Sequence, residues 1–423
     1  MNRFALKGDI CFNKDFKTWE TIEGGYVVCV DGECKGSFKE LPEEYKDVPV
    51  TDYGHKLIIP GLMDIHLHAP QFAIRALGMD LELIEWLDTH AFNAEANYAD
   101  LEYADMAYDL FVEEMLSGAT TRLCTFGTLH KDATLLLMEK LEKAGFHGFV
   151  GKVNMDRNSP DILCEESAEA SLRATEEFIV EAKSRFKNIQ PVITPRFTPS
   201  CSDELMKGLG ELQAKYHIPA QSHLSENLSE IDWVKELCPN TSCYGEAYDQ
   251  FGLFGSNGPS IMAHCVHSGE EEQKMMLDRG TFVAHCPQSN SDLASGIAPV
   301  RQYLNKGIKV GLGSDVAGGH SYSIFEEMKE AIQVSKLRWR LVDQSLEPLT
   351  VQEAFYLGTK GGGEFFGKVG SLEDGYRFDA VIMDDSTIKY PRKLTIEERM
   401  ERLIYLAEKA HVHAKYIDGV QVK

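Results

Sequence analysis

Between residues 57 and 315 the chain repeats one alternation eight times, a short apolar run followed by a longer connection. The runs are Leu57–His66, Ala119–Phe126, Gly148–Met155, Pro191–Phe197, Pro219–His223, Ser260–His264, Thr281–His285 and Lys309–Asp315. Amphipathic segments accompany them, among them Leu135–Ala144, Ala168–Phe186, Asp203–Tyr216, Glu270–Leu277 and Tyr322–Lys336. Asp203 and Ser268 fit helix N-caps, and Gly145 and Gly280 fit C-terminal stops. Short apolar strands separated by helical stretches make βα units, whose strands pair in parallel. Eight such units in about 300 residues predict closure into a (β/α)8 TIM-like barrel.

The two ends have a different texture. Residues 1–57 and 369–423 carry short β-rich runs broken by turns such as Asp31-Gly32 and Asp418-Gly419. The economical reading is an α/β chain with the barrel at 58–368 and one small composite β-sandwich domain built from both termini. The stretch from Pro70 to about Asp100 is too long for a simple connection and carries its own helix near Leu83–Leu87. It is expected to cover or wall a pocket.

Charge narrows the partners. A net charge of −23 over 423 residues argues against nucleic acid and anionic membrane surfaces, and leaves a small, weakly charged substrate open. The ten cysteines contain no Cys-x-x-Cys pair, so they read as reduced thiols and not as a disulfide framework. The same absence excludes the zinc deaminases built on a Pro-Cys-x-x-Cys signature. Met1–Phe12 lacks the apolar core of a signal peptide, and no apolar run reaches the ~18–20 residues of a membrane span. A cytoplasmic location is expected.

Barrel strands point their C-terminal ends at one mouth, where residues remote in sequence converge. His66 and His68 project from the same side of strand one, because successive side chains alternate. Strand five ends at His223, strand six at His264, strand seven at His285 and strand eight at Asp315. Singly, each has a structural explanation as a hydrogen-bonded core histidine or an N-cap. Together, at one depth of successive strands, they read as a metal site. His66, His68, His223 and Asp315 offer imidazole and carboxylate ligands for one zinc per chain, with water completing the set. Iron(II) suits the same donors. Glu226, three residues beyond His223, is placed for proton transfer beside the metal.

Several stretches carry a resemblance. Pro60-Gly61-Leu62-Met63-Asp64-Ile65-His66-Leu67-His68, His223-x-x-Glu226, His264 and Gly313-Ser314-Asp315 resemble the amidohydrolase superfamily, in its mononuclear deaminase branch. Within that branch, His68-Ala69-Pro70-Gln71, Leu83-Ile84-Glu85-Trp86-Leu87, Pro195-Arg196-Phe197-Thr198-Pro199, Ser222-His223-Leu224-Ser225-Glu226-Asn227 and His285-Cys286-Pro287-Gln288-Ser289-Asn290 are similar to the guanine-deaminating subgroup. One local departure is Asn93, where that subgroup usually has proline.

The resemblance implies hydrolytic deamination of guanine to xanthine and ammonia, in a cytoplasmic homodimer. It implies that Glu226 protonates the ring, Asp315 takes the proton of the attacking water and His264 orients that water. Gln71, Arg196 and Phe197 would bind the purine. His285 is carried with them, with a supporting or packed-core role as its alternative. Three rivals remain. One is a deaminase or chlorohydrolase of the same branch acting on a pterin, triazine or adenosine-like substrate. Another is a two-metal relative, which carries a bridging lysine at the end of strand four where this chain has Pro195-Arg196-Phe197. The third is a barrel that has lost its activity.

Overall fold

The computed structural model describes residues 2–423. Eight parallel strands form the larger body: β1 (Leu62–His68), β2 (Thr120–Phe126), β3 (His147–Gly151), β4 (Ile189–Pro191), β5 (Ala220–Leu224), β6 (Ser260–His264), β7 (Phe282–His285) and β8 (Lys309–Leu312). They pair in order as two four-stranded sheets, β1-β2-β3-β4 and β5-β6-β7-β8. Hydrogen bonds run between the sheets on both sides. At one seam Ile193 N donates to Pro219 O at 3.0 Å and Gln221 N to Ile193 O at 2.9 Å. At the other, Asp315 N donates to His66 O at 2.8 Å and His68 N to Val316 O at 2.9 Å. The architecture is TIM-barrel-like.

Amphipathic helices cover the strands where the apolar spacing placed them: Lys131–Lys143, Ala168–Arg185, Asp203–Tyr216, Glu270–Arg279 and Ile324–Leu341. Two caps fall one residue from their expected positions. Ser202 is the N-cap, its hydroxyl accepting from Leu205 N, and Asp203 is the first helical residue, where its charge favours the helix N-terminus. Gly269 precedes the Glu270–Arg279 helix in place of Ser268. Gly145 and Gly280 do end their helices with positive φ, 83° and 69°.

Strands from both chain ends join in one seven-stranded sheet. Its order is Val420–Gln421, Val412–Ile417, Ala380–Met383, Val50–Pro60, Arg3–Asn13, Trp19–Val30, Glu33–Phe38. The first apolar run therefore divides between two bodies. Ile58 and Ile59 pair with Ile382 and Val381 in this sheet, while Leu62 begins the barrel. Gly61 is the joint, since a Cβ there would overlap the Thr121 side chain. The sequence shows no break because both flanks of Gly61 enter apolar cores. The sheet curls: Leu6, Ile10, Val27, Ile58, Phe378, Ile382 and Tyr416 share one buried cluster, and Cys34 N donates to Tyr376 O at 2.7 Å.

The segment after β1 winds through the short helix Leu83–Trp86, a wide turn at Leu87–Ala91 and the helix Phe92–Ala96. Asn93 lies in this second helix, and its Nδ2 donates to Thr89 O at 3.1 Å. Among the described residues no helix is long and apolar enough to cross a membrane.

Candidate active site

At the C-terminal mouth of the barrel, regular strand geometry stops and side chains turn inward. Ser225, His264 and Asp315 adopt positive φ of 48°, 71° and 45°, which is strained for non-glycine residues. His66, His223, His264 and Asp315 each bring a donor atom within 4.8 Å of the others. His68 joins them, its Nε2 lying 3.1 Å from His223 Nε2 and 3.4 Å from Asp315 Oδ1. His66 Nε2 is 3.2 Å from the same oxygen. Four donors around a tetrahedral ion with bonds of ~2.0–2.1 Å stand about 3.3–3.4 Å apart. The contacts His68–His223, His66–Asp315 and His68–Asp315, at 3.1, 3.2 and 3.4 Å, lie close to that spacing. His264 sits further out, with Nε2 3.8 Å from Asp315 Oδ2.

The electrostatics suit a cation. Burial drives all three imidazoles of His66, His68 and His223 below their ordinary range, so they stand neutral with lone pairs available. His223 Nδ1 donates to Arg196 O at 2.5 Å, leaving Nε2 for the cluster. Both ring nitrogens of His66 are buried without a hydrogen-bond partner. Burial works to raise the Asp315 pKa, but the close approach of His66 and the neighbouring imidazoles holds its carboxyl well below the usual range. A buried group of this composition fits a divalent metal ion and poorly fits an apolar core.

Glu226 behaves oppositely. Burial, assisted by the charge of Asp315, pushes its carboxyl up to about 8, against one opposing hydrogen bond from Ser295 Oγ at 3.1 Å. It therefore carries a proton at neutral pH. His264 Nδ1 donates to Asn290 Oδ1 at 2.9 Å, which turns a free Nε2 toward Glu226 Oε2 at 3.4 Å.

Gln71, Arg196, Phe197, Glu226, His264 and Asp315 all line one cavity, walled on another side by Leu83, Trp86 and Leu87. His285 does not line it. The ring is wholly buried, with Nδ1 unpartnered, and desolvation lowers its pKa to about 3. Lys152, at the end of strand three, is held by Glu165 at 2.6 Å and Val153 O at 3.1 Å.

Several contributors escaped the sequence reading. Asp64 accepts from Ser314 N at 3.0 Å and Ser314 Oγ at 2.6 Å, tying β1 to the turn that presents Asp315. Its position two residues before His66 put it on the same strand face, a signal that could have found it. Glu230 lines the cavity and gives the Glu226 backbone N–H an acceptor at 3.0 Å. Glu95, on the lid helix, accepts from both Gln71 and Arg196, and no spacing rule pointed to it.

A parallel barrel with histidines and an aspartate gathered at its strand ends defines a class, the hydrolases that hold a divalent cation at such a mouth. Residues 57–422 match the Amidohydrolase family. The guanine deaminase of Dictyostelium discoideum is 38% identical over 410 residues, covering 92% of this chain and 90% of its own. That of Mus musculus is 36% identical over 381 residues, covering 87% and 83%. The crystal structure of a guanine deaminase from C. acetobutylicum, with guanine bound in its active site, superposes with a TM-score of 0.97 at 45% identity over 100% of both chains. The chain belongs to the Amidohydrolase family.

Proposed function

We propose that the chain hydrolyses guanine to xanthine and ammonia at this cavity, in a closed (β/α)8 barrel running from Leu62 to about residue 368 and flanked by a β-sandwich of 1–60 and 369–423. The curled terminal sheet and the hydrogen bonds at both barrel seams support that architecture. One observation carries the chemistry: the histidine–aspartate cluster, a protonated carboxyl and a polar reading edge face the same space.

His66, His68, His223 and Asp315 would hold one divalent cation, zinc or alternatively iron(II), which suits the same ligands. A cation bound there supplies a water acidic enough to attack at neutral pH. Gln71 and Arg196, with the Phe197 backbone, orient the planar base, Arg196 donating to its acceptor edge. Glu226 gives its proton to the ring nitrogen beside the amino-bearing carbon, which makes that carbon accept the water oxygen. Asp315 takes one proton from the attacking water and passes it to the amine as the C–N bond breaks, and the remaining hydroxyl proton passes to Glu226 as the carbonyl forms, restoring its protonated state. His264, fixed by Asn290, directs a lone pair at the water. His285 backs His264 from the core. A cytoplasmic homodimer is the setting that the family resemblance implies.

Steady-state loss of guanine absorbance tests this reading. Wild type turns guanine over, while adenine, which lacks the matched carbonyl, is slower by ~10⁴-fold or more. Glu226→Gln keeps its metal and loses about 10²–10⁴-fold in kcat. A variant with full activity and full metal content would remove Glu226 from the mechanism.

A further inference from the structure

The polar edge of the cavity is built around a carboxylate that does not line it. Glu95 Oε1 accepts from Gln71 Nε2 at 2.7 Å, and Oε2 accepts from Arg196 Nη1 at 2.6 Å. Glu95, Arg196 and Gln71 are only 3%, 3% and 2% exposed, so the bonds lie out of water, where charge pairing matters most. Phe92, on the same lid helix, places its ring 5.0 Å from the Arg196 guanidinium.

We propose that Glu95 is the positioning residue that sets the specificity of the base pocket, aligning Gln71 and cancelling the charge of Arg196 so that the pocket takes neutral purines and turns away their anions. This rests on the guanine-deamination reading for the identity of the base. A carboxylate only accepts, so Gln71 must turn its NH2 toward Glu95, and its Oε1 then accepts from Ala317 N at 3.3 Å. The amide orientation is fixed before a substrate arrives. Arg196 keeps its remaining N–H donors for the base, yet the arginine and glutamate together carry no net charge. A lone buried guanidinium would instead attract whichever ligand was anionic. Phe92 and Glu95 both belong to the segment that walls the cavity, so the packing of that segment and the polar edge are built from the same helix.

The test uses the metal-loaded enzyme and its Glu95→Gln and Glu95→Asp variants. Guanine kinetics are measured beside competitive inhibition by neutral hypoxanthine and by xanthine, the latter titrated through its own ring ionisation. Glu95→Gln is expected to raise KM by about 10- to 100-fold while kcat changes less than about 5-fold. It should also shift the ratio of anionic to neutral inhibition by about 10-fold toward the xanthine anion. Glu95→Asp keeps the charge but shortens the reach, so KM rises and the inhibitor ratio stays at the wild-type value.

An unchanged ratio in Glu95→Gln would overturn the proposal, as would an equal shift in Glu95→Asp, since charge would then not be the cause. Should Glu95→Gln fail to fold, Glu95→Ala, which also removes the charge, must show the same shift of the inhibitor ratio, and an unchanged ratio there overturns the proposal. Failure of the wild type to deaminate guanine would instead remove the reading on which the proposal rests.

Discussion

The two ends of the barrel both bury charge, and they do so in opposite ways. At the N-terminal end, Arg122 on β2 donates to Asp379 at 2.6 Å and Asp418 at 2.6 Å, Arg377 adds a bond to Asp418 at 2.8 Å, and Asp418 N donates to Asp379 at 2.9 Å. Lys415 caps the carbonyls of Met115, Gly118 and Thr120 at 2.9–3.1 Å. Their charged groups are partnered, and the network ties the terminal sheet to the barrel. At the C-terminal end, His66 and the Nε2 of His264 are buried without hydrogen-bond partners, and two carboxyls of one cavity are displaced in opposite directions. Satisfied charge holds the bodies together; unsatisfied donors and acceptors are what a ligand and a reaction complete.

The sharpest way to break this contrast is to remove the cation. Chelation, or His223→Ala, should reduce guanine turnover to background, with activity returning to the chelated wild type on adding zinc and not to the variant. Thermal stability should fall as well, because neutral imidazoles 3.1 Å apart in a dry site lose the charge that joined them. Persistent activity in metal-free protein would show that the cluster is structural.

Asp379→Asn probes the other end. It weakens the charged acceptor of Arg122 at a position with no exposure, so unfolding in urea should come earlier by about 3 kcal/mol. The kcat of the folded fraction should stay at the wild-type value. A large loss of kcat with unchanged stability would mean that the two ends are not separable.

Much of this division was visible in the chain. His66, His68, His223, His264 and Asp315 were legible because a strand end is marked by where its apolar run stops, and a barrel brings all such ends to one face. His285 has the same mark, yet the structure buries it away from the cavity. The end of a run fixes depth along a strand but not which way the last side chain turns. The passage from terminal sheet to barrel at Gly61 was hidden by apolar residues on both sides. Glu95 was hidden for another reason: the lid packs as short, irregular helices, and only its tertiary position brings it to Arg196. The Ser202 and Gly269 caps differ from expectation by one residue, which is the ordinary scatter of helix ends.

A smaller effect sharpens the electrostatic side of the contrast. Burial and the charge of Asp315 raise Glu226 to about 8, so the protonated, active form prevails below that pH. The kcat/KM for guanine should hold level through neutral pH and fall about tenfold per unit above about 8. Glu226→Gln cannot ionise and should lose this limb from its residual activity. An alkaline limb that survives in that variant assigns the titration to another group.

The smallest effect lies on the rim of the mouth, where water screens what burial amplifies inside. His320 Nδ1 bonds Asp292 Oδ2 at 2.6 Å, and this hydrogen bond raises the imidazole above its ordinary value, with partial burial opposing. The side chain is 48% exposed, so the pair contributes little, about 0.5 kcal/mol or less at low salt. A raised folded pKa stabilises the protein fully below the unfolded value of about 6.5, and the gain is lost as pH rises through the folded value. His320→Gln should therefore cost a few tenths of a kcal/mol near pH 5.5, where the imidazole is protonated in both states. It should cost nothing near pH 9, where the imidazole is neutral in both states. Urea midpoints at the two pH values measure the difference. An equal cost at both would mean that His320 acts through packing and that the rim, like the interior, feels little of the solvent.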